Sequence, residues 1–129
     1  MEQLDSFTFT DTAGDTITIR IFWEKPPPPD SKLILIERSK GADVKPAVPV
    51  FCNPPTVRVP KKEEATRPGA AWTVRGSSAQ AGDGFEIVNS GPNKKRITVH
   101  LGGADGGTFD GEISAADAQK LIDAMQRQK

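Results

Sequence analysis

The N-terminal part of the chain alternates apolar and polar residues with a period of two, and this pattern constrains the fold more than any other feature. In the stretch SFTFTDTAGDTITIRIFW, Phe7 and Phe9 alternate with threonines, and residues 17–23 continue in the same way. Such alternation of aromatic and β-branched residues is typical of half-buried strands. Between the two runs, Gly14 can supply the positive φ of a tight turn. The sequence therefore predicts a β-hairpin. Phe22 falls on the otherwise polar face of the second strand, so we expect both faces of the sheet to be covered by other residues at that end of the strand.

Further short runs have the composition of strands and are bounded by proline, glycine or charged clusters. The predicted strands are Leu33–Arg38, Val48–Cys52, Thr56–Pro60 and Ala71–Gly76, followed by a second hairpin over 84–103 with its turn at 89–93. The region 48–60 is bounded by prolines, which predicts edge strands because proline cannot donate to a ladder. Four consecutive prolines at 26–29 predict a stiff connector after the first hairpin.

The C-terminal segment predicts an amphipathic helix. Its apolar residues Ala118, Leu121, Ile122 and Met125 follow an i, i+3, i+4, i+7 spacing, and Ser114 is a suitable N-cap. A chain of 129 residues fits a single domain, 1–129. We expect an α+β fold with mainly antiparallel sheet: six to eight short strands in a sandwich or partly open barrel, with this helix packed on the sheet.

Composition excludes several classes of function. The chain carries 17 basic and 17 acidic residues, and its largest basic cluster, 94–96, falls in a hairpin turn. Neither feature indicates a nucleic-acid surface. No apolar run approaches the ~20 residues of a membrane span, so we expect no membrane partner. The first residues lack the pattern of a signal peptide, and Cys52 is the only cysteine. We therefore expect a cytoplasmic location.

The stretch DGEISAADAQKLI, which begins at Asp110, resembles the exit half of an EF-hand calcium loop and the loop–helix motifs of dockerin-like modules. With Gly111 as the sixth position, Asp110, Ser114 and Asp117 fall at positions 5, 9 and 12. The resemblance implies a calcium-binding domain that uses Asp105, Asp110, Ser114 and Asp117 in the segment 105–117. The first position, however, falls on Gly106, which has no side chain, and a predicted strand replaces the entering helix. We therefore prefer a structural interpretation without a metal: a strand, a turn at Gly111 and a capped helix.

Other residues that carry chemistry are few. The chain has one histidine, one cysteine and no tyrosine, and it lacks the glycine patterns of nucleotide and dinucleotide sites, so no cofactor is predicted. His100, with nearby carboxylates, defines an alternative small hydrolase. It lies at a polar position of its predicted strand, which favours a solvent-facing side chain. Cys52 alternates with Val50, which indicates a small buried hydrophobic residue.

These observations favour a non-enzymatic protein-binding module, of accessory, adaptor or inhibitor type, that acts through a protein surface. Trp23 and Trp72 are the first candidate anchors for a protein partner, because tryptophan is enriched among the residues that dominate interfaces. Calcium binding and hydrolysis are the two alternatives. An unpaired edge strand from residues 48–60 would permit homo-oligomerisation by strand addition.

Overall fold

A computed structural model of the protein describes residues 2–23, 31–52, 55–76, 83–91, 93–102 and 106–127. Within these ranges it contains ten strands in two antiparallel sheets and one C-terminal helix. The predicted fold class is confirmed, although the described residues form ten strands rather than six to eight. The predicted connector at 26–29 lies outside the described residues.

The first sheet is built on the N-terminal hairpin. Its strands are β1 (Gln3–Thr10), β2 (Thr16–Trp23), β3 (Lys32–Lys40), β4 (Asp43–Val44) and β5 (Val48–Cys52). The predicted hairpin is confirmed: Phe9 lies opposite Ile17, and Gly14 has a φ of 87° in the turn. The short strands β4 and β5 both pair with β3, each along a different part of it.

The second sheet contains the other five strands, and each pairs with its neighbours in sequence. Its strands are β6 (Thr56–Arg58), β7 (Ala71–Arg75), β8 (Gly84–Gly91), β9 (Lys94–Leu101) and β10 (Gly107–Ser114), arranged as β10-β9-β8-β7-β6. The predicted second hairpin is confirmed as β8 and β9. Both β5 and β6 lie at the edges of their sheets, as the prolines around them predicted.

The strand β10 corrects one prediction from the sequence. Gly111 was expected to turn the chain, but it lies within β10, opposite Ile97. The position that a Cβ on Gly111 would occupy faces the first hairpin. There, an isolated β-bridge pairs Gly111 with Asp11, and the Thr12 N–H donates a hydrogen bond to the Asp110 carbonyl at 2.9 Å. A Cβ on Gly111 would lie 2.7 Å from the Thr10 carbonyl oxygen. Gly111 is therefore required by a close approach between β10 and the first sheet, and not by a turn.

The helix α1 (Ala115–Gln126) begins where the sequence predicted. The Ser114 hydroxyl accepts a hydrogen bond from the Asp117 N–H at 3.1 Å, which satisfies one of the free donors of the first turn. The helix packs against β1, β6, β9 and β10. Its buried residues are Ala118, Leu121, Ile122, Ala124 and Met125. In the described part of the chain, no helix has the length and apolar character needed to cross a membrane.

The two sheets and the helix enclose one apolar core. On β3, the core-facing isoleucines Ile34 and Ile36 lie between two cationic residues, Lys32 and Arg38. The Lys32 ammonium lies 4.9 Å from the Trp23 ring centre, and the Arg38 guanidinium lies 4.5 Å from that of Phe109. Each cation thus covers an aromatic ring at an end of the core-facing row, a favourable arrangement because the ring face is electronegative.

Candidate functional site

The first sheet carries an apolar patch on the face that points away from the core. The register across β2, β3 and β5 places two rows of apolar residues side by side. Phe22, Leu33 and Phe51 form one row, and Leu35 and Pro49 form the next. Their neighbours along each strand point into the core, as alternation on a strand requires. We call these five residues the outer patch.

Exposure is highest at the edge of the outer patch. Phe51 is 43% exposed and Pro49 is also exposed, whereas Leu33, which lies between Phe22 and Phe51 in the register, is buried at 7%. Arg20 lies opposite Leu35 in the register, so this positively charged residue lies at the end of the row formed by Leu35 and Pro49. Beyond it the same face becomes polar, and the hydroxyls of Thr8 and Thr18 lie 3.3 Å apart. The outer patch is therefore an apolar area with a cationic rim and a polar surround.

A second surface feature is a cleft of about 260 Å³ between the β1–β2 turn and the β3–β4 turn. We call it the charged cleft. Its lining residues are Ala13, Asp15, Arg38, Ser39, Lys40, Asp43 and Lys45. The Arg38 Nε lies 3.8 Å from Asp15 Oδ2, and the two side chains are 25% and 16% exposed. Phe109 supports the guanidinium from below.

The two tryptophans proposed as anchors lie elsewhere. Trp23 is 7% exposed on the core side of β2, where Lys32 covers its ring. Trp72 is half-buried on β7, with the Lys95 ammonium 4.0 Å from its ring centre. Burial lowers the pKa of Lys95, whose ammonium also donates to Asn89 Oδ1. Each tryptophan thus presents little free ring surface.

Three of the four residues of the calcium alternative are described by the structure, and each of them forms hydrogen bonds within the protein. Asp110 accepts hydrogen bonds from Arg96 Nε at 3.0 Å and Thr12 Oγ1 at 2.9 Å. The Arg96 and Thr12 donors hold the pKa of that carboxyl below its ordinary value. Ser114 and Asp117 meet at the helix cap, and Asp105 lies outside the described residues. Within the described ranges, no group of three or more His, Cys, Asp or Glu side chains is arranged to hold a metal ion.

The two remaining chemical candidates, His100 and Cys52, lie on different sheets. His100 is half-buried on β9, between Gly84 of β8 and Thr108 of β10. Cys52 is fully buried, as its alternation with Val50 predicted. Burial raises the pKa of the Cys52 thiol to about 12, although the nearby charge of Lys32 acts in the opposite direction.

Sequence reasoning missed both the outer patch and the charged cleft. One signal for the patch was present: Phe22 occupies a polar position of β2, and Leu33, Leu35, Pro49 and Phe51 alternate with the core residues of their strands. Comparison of the chain with protein-family models, with curated proteins and with solved structures gave no match. The basis for a functional assignment is therefore the geometry of these two surface features.

Proposed function

We propose that the protein is a non-enzymatic protein-binding module, of accessory, adaptor or inhibitor type, and that its partner docks on the outer patch. The observation that carries this proposal is the pair of adjacent apolar rows on the outer face of the first sheet, whose edge residues Phe51 and Pro49 are exposed. Contiguous exposed apolar areas rimmed by polar residues are typical of interaction sites, because their burial against a partner removes apolar surface from water.

The composition of the patch indicates what the partner presents. Phe51 and Pro49 offer stiff side chains that lose little conformational freedom on binding. Arg20 at the rim attracts a carboxylate and favours a partner that carries one beside an apolar centre. The partner we propose is thus a folded protein or segment with an apolar contact surface and an acidic residue placed opposite Arg20.

Two observations support a binding role over a catalytic one. The Cys52 thiol is buried, and its raised pKa leaves it protonated at neutral pH, so it is a poor nucleophile. Asp110, a carboxylate on the strand that pairs with the strand of His100, is engaged by Arg96 and Thr12. We place the module in the cytoplasm as part of the same proposal, since a reducing compartment keeps its single cysteine a thiol.

The test compares Phe51→Ser with Val59→Ser. Val59 is a matched control because it is an exposed apolar residue, 50% exposed, that lies outside the outer patch. Proteins captured from an extract of the source organism by the wild-type domain and by both variants are quantified together, and the partner is then purified for affinity measurement. We expect Phe51→Ser to weaken binding by about 2 kcal/mol, roughly 30-fold, and Val59→Ser to leave it unchanged.

Two results would contradict the proposal. One is a purified partner that binds Phe51→Ser as tightly as the wild type. The other is a dimer of the isolated domain, measured by light scattering, that Phe51→Ser converts to monomer while no other protein depends on Phe51 for capture. That second result would assign the outer patch to a second copy of the chain.

A further inference from the structure

The charged cleft contains an arginine, Arg38, whose side chain makes few hydrogen bonds to the residues that the structure describes. A guanidinium has five N–H donors in a planar fork. In the part of the chain that the structure describes, the side chain of Arg38 has two interactions: the ion pair with Asp15 at 3.8 Å, which exceeds hydrogen-bonding distance, and the contact with the ring of Phe109. The N–H donors of Arg38 therefore lie at the cleft, and its guanidinium lies over the buried ring of Phe109.

The surroundings fix the direction in which Arg38 can bind. The guanidinium carbon lies over the ring of Phe109, and Asp15 lies nearest Nε, so the Nη groups have no acceptor among the described residues and remain for one in the cleft. Because stacking on the ring and the ion pair already restrict the side chain, little further ordering is needed for binding. The arrangement is a preorganised donor fork.

The charges of the cleft favour an anion. Its cations are Arg38, Lys40 and Lys45, and its carboxylates are Asp15 and Asp43, which gives 3 − 2 = +1. A planar carboxylate also matches the guanidinium fork in bidentate geometry.

The volume of the cleft limits the size of the ligand. At about 260 Å³, it lies just below the range of roughly 300–1,000 Å³ that holds drug-sized ligands. It has room for a small acid or for the terminal group of a longer chain, but not for a nucleotide cofactor.

We propose that the charged cleft is a binding site for one carboxylate group, which Arg38 holds in bidentate geometry while Lys40 and Lys45 attract it. The group belongs either to a free small monocarboxylic acid or to the C-terminus of a peptide. This site is independent of the outer patch, since the two share no residue.

The test adds four probes separately to the intact chain: propionate, N-acetyl-alanine, N-acetyl-alanine amide and inorganic phosphate. Binding is measured by amide chemical shifts and by calorimetry. We expect saturable binding of a carboxylate probe with shifts centred on residues 13–15 and 38–45, and no binding of the amide. Binding of N-acetyl-alanine alone assigns the site to peptide termini, and comparable binding of propionate assigns it to free acids. Both results support a carboxylate site.

Variants identify the residue that holds the carboxylate. Arg38→Gln is expected to weaken binding about tenfold or more, because it removes a charged hydrogen-bond donor. Arg58→Gln is the matched control: it changes an exposed arginine on β6 of the other sheet and is expected to have no effect. Lys40→Gln, at an exposed position, is expected to weaken binding about two- to threefold and to reduce its salt dependence.

The proposal is overturned if neither carboxylate saturates, if phosphate binds more tightly than both, or if Arg38→Gln folds and binds like the wild type. Should Arg38→Gln fail to fold by circular dichroism, the decision rests on Lys40→Gln. An unchanged affinity and salt dependence in that variant would also overturn the proposal.

Discussion

Substitution of Gly111 by alanine tests the close approach between β10 and the first hairpin. A Cβ at this position would lie 2.7 Å from the Thr10 carbonyl oxygen and 2.8 Å from Cδ2 of Phe9. Both distances are well inside the roughly 3.5–4.0 Å at which non-bonded carbon atoms are most favourable. Relief requires β10 to move away from the first sheet, and that movement lengthens the 2.9 Å hydrogen bond from the Thr12 N–H to Asp110.

The expected loss of stability follows from these contacts. Overpacking in a well-packed interior costs about 1–3 kcal/mol, and a weakened backbone hydrogen bond adds about 1 kcal/mol. We therefore expect Gly111→Ala to lower the free energy of unfolding by about 2–4 kcal/mol, which corresponds to a fall in Tm of roughly 5–15 °C for a domain of this size. Urea unfolding followed by circular dichroism measures the change at constant temperature.

Gly41→Ala is the control for this substitution. Gly41 has a φ of 59° and open space around its missing Cβ, so alanine there meets only the backbone preference, about 1 kcal/mol. A glycine at the turn of a calcium loop would behave like Gly41. If Gly111→Ala destabilises the protein no more than Gly41→Ala does, the packing of β10 against the first hairpin is refuted.

Four further predictions concern the helix, the buried thiol and the acidic segment. Leu121→Ala is expected to cost about 2–5 kcal/mol in urea unfolding because Leu121 is fully buried, whereas Lys120→Ala, at an exposed position, changes stability by less than about 0.5 kcal/mol. Cys52 is expected to resist a thiol reagent at pH 8 in the folded protein and to react fully in urea, because its folded-state pKa is about 12; rapid reaction without denaturant would contradict its burial. Asp110→Asn is expected to lower Tm at pH 7. Because the folded-state pKa lies below the unfolded value of about 3.9, the difference from wild type should shrink as the pH falls below about 4 and vanish only below the folded-state pKa. Millimolar calcium is expected to leave Tm unchanged; a rise that a chelator reverses and that Asp110→Ala abolishes would establish the calcium alternative.

Much of the fold could be predicted because strand alternation and helix periodicity are local signals. The first hairpin, the edge position of β5 and the capped helix each follow from residues near in sequence. The strand β10 was missed although Phe109, Gly111 and Ile113 alternate with Thr108, Asp110 and Glu112. A glycine occupies the central core-facing position, so the alternation is interrupted where a turn is also plausible. Only the tertiary contact with Thr10 explains that glycine.

The surface features depend on strand neighbours, and no local pattern specifies these. The outer patch exists because β5 pairs with β3 rather than with β6, which places Phe51 beside Leu33. The charged cleft brings together Asp15, which precedes β2, and Lys45, which follows β4. Register across a sheet is set by the core residues of all its strands. The sequence of any single strand therefore does not predict which residues become neighbours in the outer patch or in the charged cleft.

The most direct test of the central claim, that a protein partner docks on the outer patch, is methyl NMR of the domain with its purified partner. We predict that the methyl resonances of Leu35, which is half-buried in the patch, and of Leu33, which lies beside the exposed Phe51, shift on addition of the partner, whereas those of Leu101 and Leu121, which lie in the core outside the patch, remain in place. Chemical-shift changes that spare Leu33 and Leu35 and appear only in other parts of the chain would contradict the claim.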